Sequence, residues 1–214
     1  MRPEFTWRVA REAWLLVALL VVLAVASWLT DLGWLAAAAV VAALAIMAFF
    51  RDPDRAIPGD PALVLAPADG RVIDIRPLSS EKGTMIGIFL SIFNVHINRA
   101  PVSGEVIEVE RTRGGFKAAF RGESSEENER VSVTIRTAWG DVVCTQVAGL
   151  VARRIICRLR PGQRVRAGER YGLIQFGSRI DLGLPPGGEL LVARGDRTRA
   201  GVTPIVRLGR GSPA

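Results

Sequence analysis

The sequence predicts a mainly β soluble domain, sandwich- or barrel-like, carried behind an N-terminal transmembrane helical hairpin. Three observations predict it. Two long runs without charge fill most of the first fifty residues, AWLLVALLVVLAVASWL (13–29) and LGWLAAAAVVAALAIMAFF (32–50). Beyond them, short β-branched and alternating segments take over. One turn–strand–turn segment occurs twice, PGQRVRAG (161–168) and RGDRTRAG (194–201), offset by 33 residues.

The two apolar runs come first. At about 1.5 Å per residue they reach roughly 25–29 Å, near the hydrocarbon thickness of a bilayer. A cleaved secretory leader would have a shorter apolar core and a small-residue cleavage site. Helices satisfy their own backbone polar groups in lipid, so a helix pair is the economical reading. Trp14, Trp28 and Trp34 lie near the helix ends, as interfacial aromatics do. Arg2, Arg8 and Arg11 precede the first run, Arg51 and Arg55 follow the second, and the turn carries only Asp31. The positive-inside rule therefore puts both ends in the cytosol. The expected organisation is a membrane anchor over 1–55 and a β-rich domain over 56–214 on the cytoplasmic face of the cell membrane.

RDPDRAIPGDPA (51–62) reads as a polar, proline-rich linker. Val72–Ile75 is a short β stretch after the turn dipeptide Asp69-Gly70, and Met85–Phe93 reads as a buried strand. Val131, Val133 and Ile135 alternate with polar residues, the period of a strand with one face inward. Trp139-Gly140-Asp141 reads as the turn of a hairpin returning through Val142–Val147. GESSEENER (122–130) reads as an acidic loop. The duplicated segment resembles the hammerhead-type half-motifs of biotinyl and lipoyl carriers. Those present a lysine between their halves, whereas this chain has no lysine after Lys117 and places Gly177-Ser178 there instead.

Scarce residues exclude several chemistries. One histidine, His96, and two separated cysteines, Cys144 and Cys157, are too few for a zinc site, so no metal is expected. In a cytosolic domain the cysteines read as buried thiols. The phosphate loop and the dinucleotide fingerprint are absent. Net charge is +7. Beside a membrane that favours anionic headgroups. No nucleic-acid-binding motif accompanies the charge, so no nucleic-acid partner is expected.

Four stretches carry the chemistry: APADGRV (66–72), FNVHINRAPVSG (93–104), QVAGLVARRI (146–155) and FGSRIDLGLP (176–185). With GFKAAF (115–120) and ENER (127–130), they resemble the short, membrane-anchored form of the phosphatidylserine decarboxylase family. The resemblance implies a proenzyme that cuts itself at Gly177-Ser178 into a β chain (1–177) and an α chain (178–214). Ser178 would become a pyruvoyl group, the Schiff-base-forming cofactor, with neither metal nor pyridoxal phosphate. The implied reaction is decarboxylation of phosphatidylserine in the membrane to phosphatidylethanolamine and CO2.

The resemblance implies a proton-moving role for His96, whose ordinary titration range suits acid–base work. It makes Asp69 a candidate to orient a base or polarise Ser178. Longer family members carry a second histidine three positions after the first; here Arg99 stands there. Either His96 serves both cleavage and decarboxylation, or Asp69 and the local backbone handle cleavage. Asn98 and Arg99 are candidates for the substrate's carboxylate or phosphate, Arg99 equally for a surface salt bridge. Arg179 and Asp181 read either as turn-fixing or, slightly favoured, as solvated charges. The product would be an α/β heterodimer, with a higher oligomer left open. The alternatives are a non-catalytic membrane-tethered β-sandwich binding module, and a pyruvoyl enzyme acting on another amine headgroup.

Overall fold

A computed structural model describes residues 7–78, 83–114, 128–149, 154–175 and 178–209. The expectations placed on GFKAAF and most of the acidic loop lie outside these residues. The chain divides into two compact units, Met1–Asp54 and Arg55–Ala214.

In the first unit, β1 (Trp7–Val9) leads through a short 3-10 turn into α1 (Trp14–Leu29). Then follow α2 (Gly33–Phe49) and β2 (Arg51–Pro53), which pairs antiparallel with β1. Asp31 turns the chain between the helices at φ 58°, the one positive φ outside glycine among the described residues. Ala36, Ala39 and Ala43 are buried, while Leu19, Val22, Val25, Val40, Val41 and Leu44 are exposed. Small residues inward and large apolar residues outward is the pattern of helices that meet in lipid, where close backbone approach rather than water exclusion drives association. Arg11–Leu29 is long and apolar enough to cross a membrane; α2 is a shorter apolar helix.

The second unit is mainly β, as its alternating segments predict. Its strands are β3 (Leu63–Leu65), β4 (Gly70–Pro77), β5 (Thr84–Leu90), β6 (Ile97–Arg99), β7 (Gly104–Thr112), β8 (Arg130–Thr137) and β9 (Gly140–Val147). After them come β10 (Ile155–Cys157), β11 (Arg164–Val165), β12 (Arg170–Ile174), β13 (Ser178–Leu184), β14 (Gly188–Leu190), β15 (Arg197–Thr198) and β16 (Pro204–Leu208). An eight-stranded sheet has the order β11-β7-β8-β9-β13-β5-β4-β15, and two three-stranded sheets run β10-β12-β6 and β14-β16-β3. Val72, Ile88, Val106, Val133, Ile180 and Leu182 from the large sheet join Val64, Ile155, Tyr171 and Ile205 from the small ones in one buried core.

These orders are two copies of one seven-stranded unit, related by a pseudo-twofold between β9 and β13. One copy runs unbroken from β6 to β12. The other is split into β3–β5 and β13–β16. Registers match pair by pair: Arg71↔Phe89 answers Glu105↔Arg136, and Pro204↔Leu65 answers Arg170↔Arg99. Both copies carry a bulge at the same place, after Val72 and after Val106. The sequence repeat forms the two outer edges, β11 and β15, with Gly162, Gly168, Gly195 and Gly201 all at positive φ. The duplication reaches the facing strands too, where APADGRV (66–72) answers APVSGEV (100–106).

In the unbroken copy, β8 returns as β9 through the two-residue turn Ala138–Trp139. Thr137 closes that turn, its hydroxyl donating to Gly140 O (2.7 Å) and accepting from Trp139 N (3.1 Å). Gly140 therefore already belongs to β9, one residue from where the sequence places the turn. In the split copy, the matching hairpin β5–β13 is opened, and residues 91–177, with the whole second copy, are inserted. The buried strand predicted over 85–93 stops at Leu90. Asn94 Oδ1 accepts from Ser91 N (2.9 Å) and Ser91 Oγ (2.8 Å), so the chain turns and leaves Phe93 80% exposed.

Candidate active site

Ser178 opens β13 at the point where the chain returns from the inserted copy to the first. It pairs with Leu90, the last residue of β5. Successive strand residues face opposite sides. Ser178 therefore shares the core face with Ile180 and Leu182, and it is fully buried. Its Oγ has no hydrogen-bond partner among the described residues. A buried hydroxyl left unpaired costs about 1–3 kcal/mol, so a fold retains one where a reacting or bound group completes it. Gly177 lies outside the described residues.

The inserted copy supplies the other polar side chains. His96, 2% exposed, precedes β6, and its Nδ1–H donates to Asn94 O at 2.9 Å. A carbonyl oxygen can only accept, so this bond places the ring proton on Nδ1 and makes Nε2 the basic nitrogen. Asn98, in β6, accepts at Oδ1 from Gln146 Nε2 (2.8 Å), and both residues are fully buried. Gln146 pairs with Ile180, which puts its carboxamide on the Ser178 face of the sheet. Asn98 Nδ2 and Gln146 Oε1 have no partner among the described residues. The amide pair thus presents one open donor and one open acceptor. Gln146 escapes the sequence reading of the site. Its signal is a polar residue at an inward position of an otherwise apolar strand, legible only once the alternation of β9 is fixed.

Asp69 stands just before β4, at the Ser178 end of the sheet. β5 lies between them, so their backbones are about 10 Å apart at 4.7–4.9 Å per strand. Arg55 grips the Asp69 carboxylate with both nitrogens of its fork, Nη1 to Oδ1 at 2.5 Å and Nη2 to Oδ2 at 2.9 Å. Asp69 Oδ1 also accepts from Ala200 N at 2.8 Å. Arg99 is 4% exposed and donates from Nη1 to Gly168 O at 3.0 Å. Its side chain is buried rather than at the surface.

Arg179 and Asp181 are not solvated. They are 1% and 5% exposed, and Arg179 Nε donates to Asp181 Oδ1. Both project from the face of β13 opposite Ser178, which is covered here although sequence alternation does not reveal it. Cys144 and Cys157 are free thiols. Burial pushes Cys144 up to about 12, the nearby Tyr171 hydroxyl only partly offsetting it, and burial raises Tyr171 as well. Both stay protonated near neutral pH and pack as neutral core. Among the described residues, no group of three or more His, Cys, Asp or Glu side chains is placed to hold a metal ion.

The model of the family described as phosphatidylserine decarboxylase matches residues 42–206. Three proteins named phosphatidylserine decarboxylase proenzyme illustrate the similarity. That of Nitrosomonas eutropha is 43% identical over 203 residues, covering 90% of this chain and 91% of the relative. That of Mycobacterium leprae is 47% identical over 187 residues, 83% of this chain and 77% of the relative. That of Trichlorobacter lovleyi is 45% identical over 178 residues, 81% of each. With the matched span taking in Ser178, His96 and Asp69, and relatives this similar over most of their length, the chain belongs to the phosphatidylserine decarboxylase family.

Proposed function

We propose that this chain is the proenzyme of a pyruvoyl-dependent decarboxylase that converts phosphatidylserine into phosphatidylethanolamine and CO2. The observation that carries the reading is Ser178: fully buried, its hydroxyl unpartnered, at the junction where the inserted copy ends. The lipid substrate is supported by the names of the relatives and by the apolar helix Arg11–Leu29. The arginines flanking the helices favour a cytoplasmic catalytic unit.

Maturation balances within the chain plus water. Ser178 Oγ adds to the Gly177 carbonyl, the C–N bond breaks, and an ester replaces the amide, freeing the Ser178 amine. Loss of the Ser178 Cα proton expels the Gly177 carboxylate and cuts the chain. Water then displaces ammonia from the dehydrated residue and leaves a carbonyl cap. Glycine at 177 leaves the attacked carbonyl unshielded. The buried amide pair fits such a cap: Gln146 stands opposite Ile180, two residues along β13 on the Ser178 face, and Asn98 Nδ2 and Gln146 Oε1 lack partners among the described residues.

A pyruvoyl carbonyl supplies an electron sink for the pair released as CO2 leaves. The chain's own residues do the rest. Asn98 offers an N–H to the substrate carboxylate, and Gln146 an acceptor for its amine hydrogens. His96, with Nδ1–H donated to Asn94 O, carries its basic nitrogen at Nε2, the atom that takes and returns a proton. Asp69, held by Arg55, completes the charged rim at the same end of the sheet. After the cut, β13 stays between β9 and β5, β15 on β4, and β16 on β3, so the small chain remains interleaved as half of an α/β heterodimer.

The test is intact mass of the purified full-length protein. A fragment of 37 residues (214 minus 177) with a keto-bearing start in place of serine is expected beside the large chain. A single unbroken chain that binds lipid without turning it over would favour the membrane-tethered binding module.

A further inference from the structure

Ser178 begins a strand, and strand ends fray because their outer backbone groups have neighbours on one side only. If residues 177 and 178 part, the reacting position becomes a chain end with one covalent tether. Something other than residue 177 must then hold it.

Arg179, the next residue, is among the largest fully buried side chains of the described residues. Its Nε donates to Asp181 Oδ1 on its own strand, and its Nη2 lies 3.5 Å from Asp74 Oδ2 on β4. Gly87 on β5 stands between the two carboxylates, paired with Asp181 on one side and Asp74 on the other. The guanidinium lies against Gly87. A methyl built there would sit 2.6 Å from Nη2 and 2.9 Å from Cζ. The bulge after Val72 matters here. It makes Asp74 rather than Ile73 the residue opposite Gly87, re-aiming that side chain onto the arginine's face.

The duplicate copy has no such cradle. Register equivalence sets Asp141 at the place of Arg179, Thr134 at that of Gly87 and Val143 at that of Asp181. Asp141 pairs only loosely with Arg136 (3.6 Å), both well exposed. At the matching position, the copy that keeps its hairpin turn therefore has neither a buried arginine nor room for one.

We infer that Arg179, lying over Gly87 between Asp181 and Asp74, is a positioning residue that locks the start of β13 so that position 178 keeps its place opposite Leu90 through and after the cut. This rests on the proposed self-cleavage. It adds that the new chain end is anchored by a side chain on the far face of the sheet, three strands wide and independent of the bond that breaks.

Two variants of the full-length protein test it. Arg179→Lys keeps the charge but loses the planar fork. Gly87→Ala keeps every charge but pushes the guanidinium aside. Displacing a reacting group by about 1 Å costs up to about a hundredfold in rate. Both variants should therefore cut at least about tenfold more slowly, by the appearance of the 37-residue fragment on denaturing gels. In molecules already cut, amide hydrogen exchange at 179–181 should rise about tenfold while β7 and β8 keep wild-type protection. Wild-type cutting and wild-type exchange at 179–181 in both variants would overturn the inference. So would exchange that rises equally in β7 and β8, the mark of general loosening. If the wild-type chain itself yields no fragment, the failure belongs to the proposed function instead.

Discussion

The two copies of the half-fold share strands, bulges and turn glycines, yet they differ at nearly every candidate site residue. Ser178 has Gly140 as its counterpart, His96 has Ala62, Asn98 has Val64, Arg99 has Leu65 and Gln146 has Leu184. Asp69 is answered by Ser103, and this pair is the most instructive. Asp69 Oδ1 accepts from Ala200 N at 2.8 Å; Ser103 Oγ accepts from Ala167 N at 2.9 Å. The two side chains do the same local work, fixing the edge segment against the next strand. A hydroxyl suffices for that. The carboxylate of Asp69 also holds the Arg55 fork, which donates in turn to Ala200 O at 2.7 Å, a link that the Ser103 side lacks among the described residues. The candidate site is thus an asymmetry written onto a symmetric scaffold, with Ser178 and Asp69 from the split copy and the other four residues from the inserted one.

The comparison can be broken by converting each residue into its counterpart. Ser178→Gly has the largest expected effect. It removes the attacking oxygen, so the protein should remain one chain, with turnover reduced by roughly three orders of magnitude or more, measured by gel and by CO2 release. His96→Ala follows. Turnover per carbonyl cap should fall about 10²–10⁴-fold, the usual worth of a positioned acid–base group. Asp69→Ser leaves a hydroxyl of the kind Ser103 uses and removes the charge together with both Arg55 bonds. Because it leaves the largely buried Arg55 without its ion-pair partner, it should lower the thermal midpoint by the equivalent of roughly 3–5 kcal/mol and cut roughly a hundredfold more slowly. Wild-type cutting in that variant would reduce Asp69 to a turn residue. The reciprocal change, Ser103→Ala, sharpens the contrast: one lost hydrogen bond, about 1 kcal/mol by thermal or chemical denaturation, and unchanged cutting.

Much of this was legible in the sequence. Long uncharged runs, strand alternation at 131–135 and the repeat at 161–168 and 194–201 are local signals, and they became two apolar helices, strand β8 and the edge strands β11 and β15. His96, Asn98, Arg99 and Ser178 are singled out by the family resemblance of FNVHINRAPVSG and FGSRIDLGLP, since local pattern alone reads a lone histidine as structural and Gly-Ser as a loop. Local signals could not show which face of β13 would be covered, because alternation fixes that two residues share a face and not what packs on it. So Arg179 and Asp181 read as solvated and are buried. Nor could they place the end of β5, where Asn94 bends back on Ser91 inside an apolar run that looks like continuous strand.

By itself, the sequence determined the elements, their periods and the chemical identity of the candidate groups, because propensity and side-chain chemistry travel with each residue. The tertiary structure alone decided that one copy of the fold is threaded through the hairpin of the other. That insertion brings Ser178 beside Leu90 and opposite β9, and it sets Gln146 on Asn98. The physical reason is range: these are pairings between residues tens of positions apart, fixed by sheet register and a shared core rather than by any neighbour in the chain.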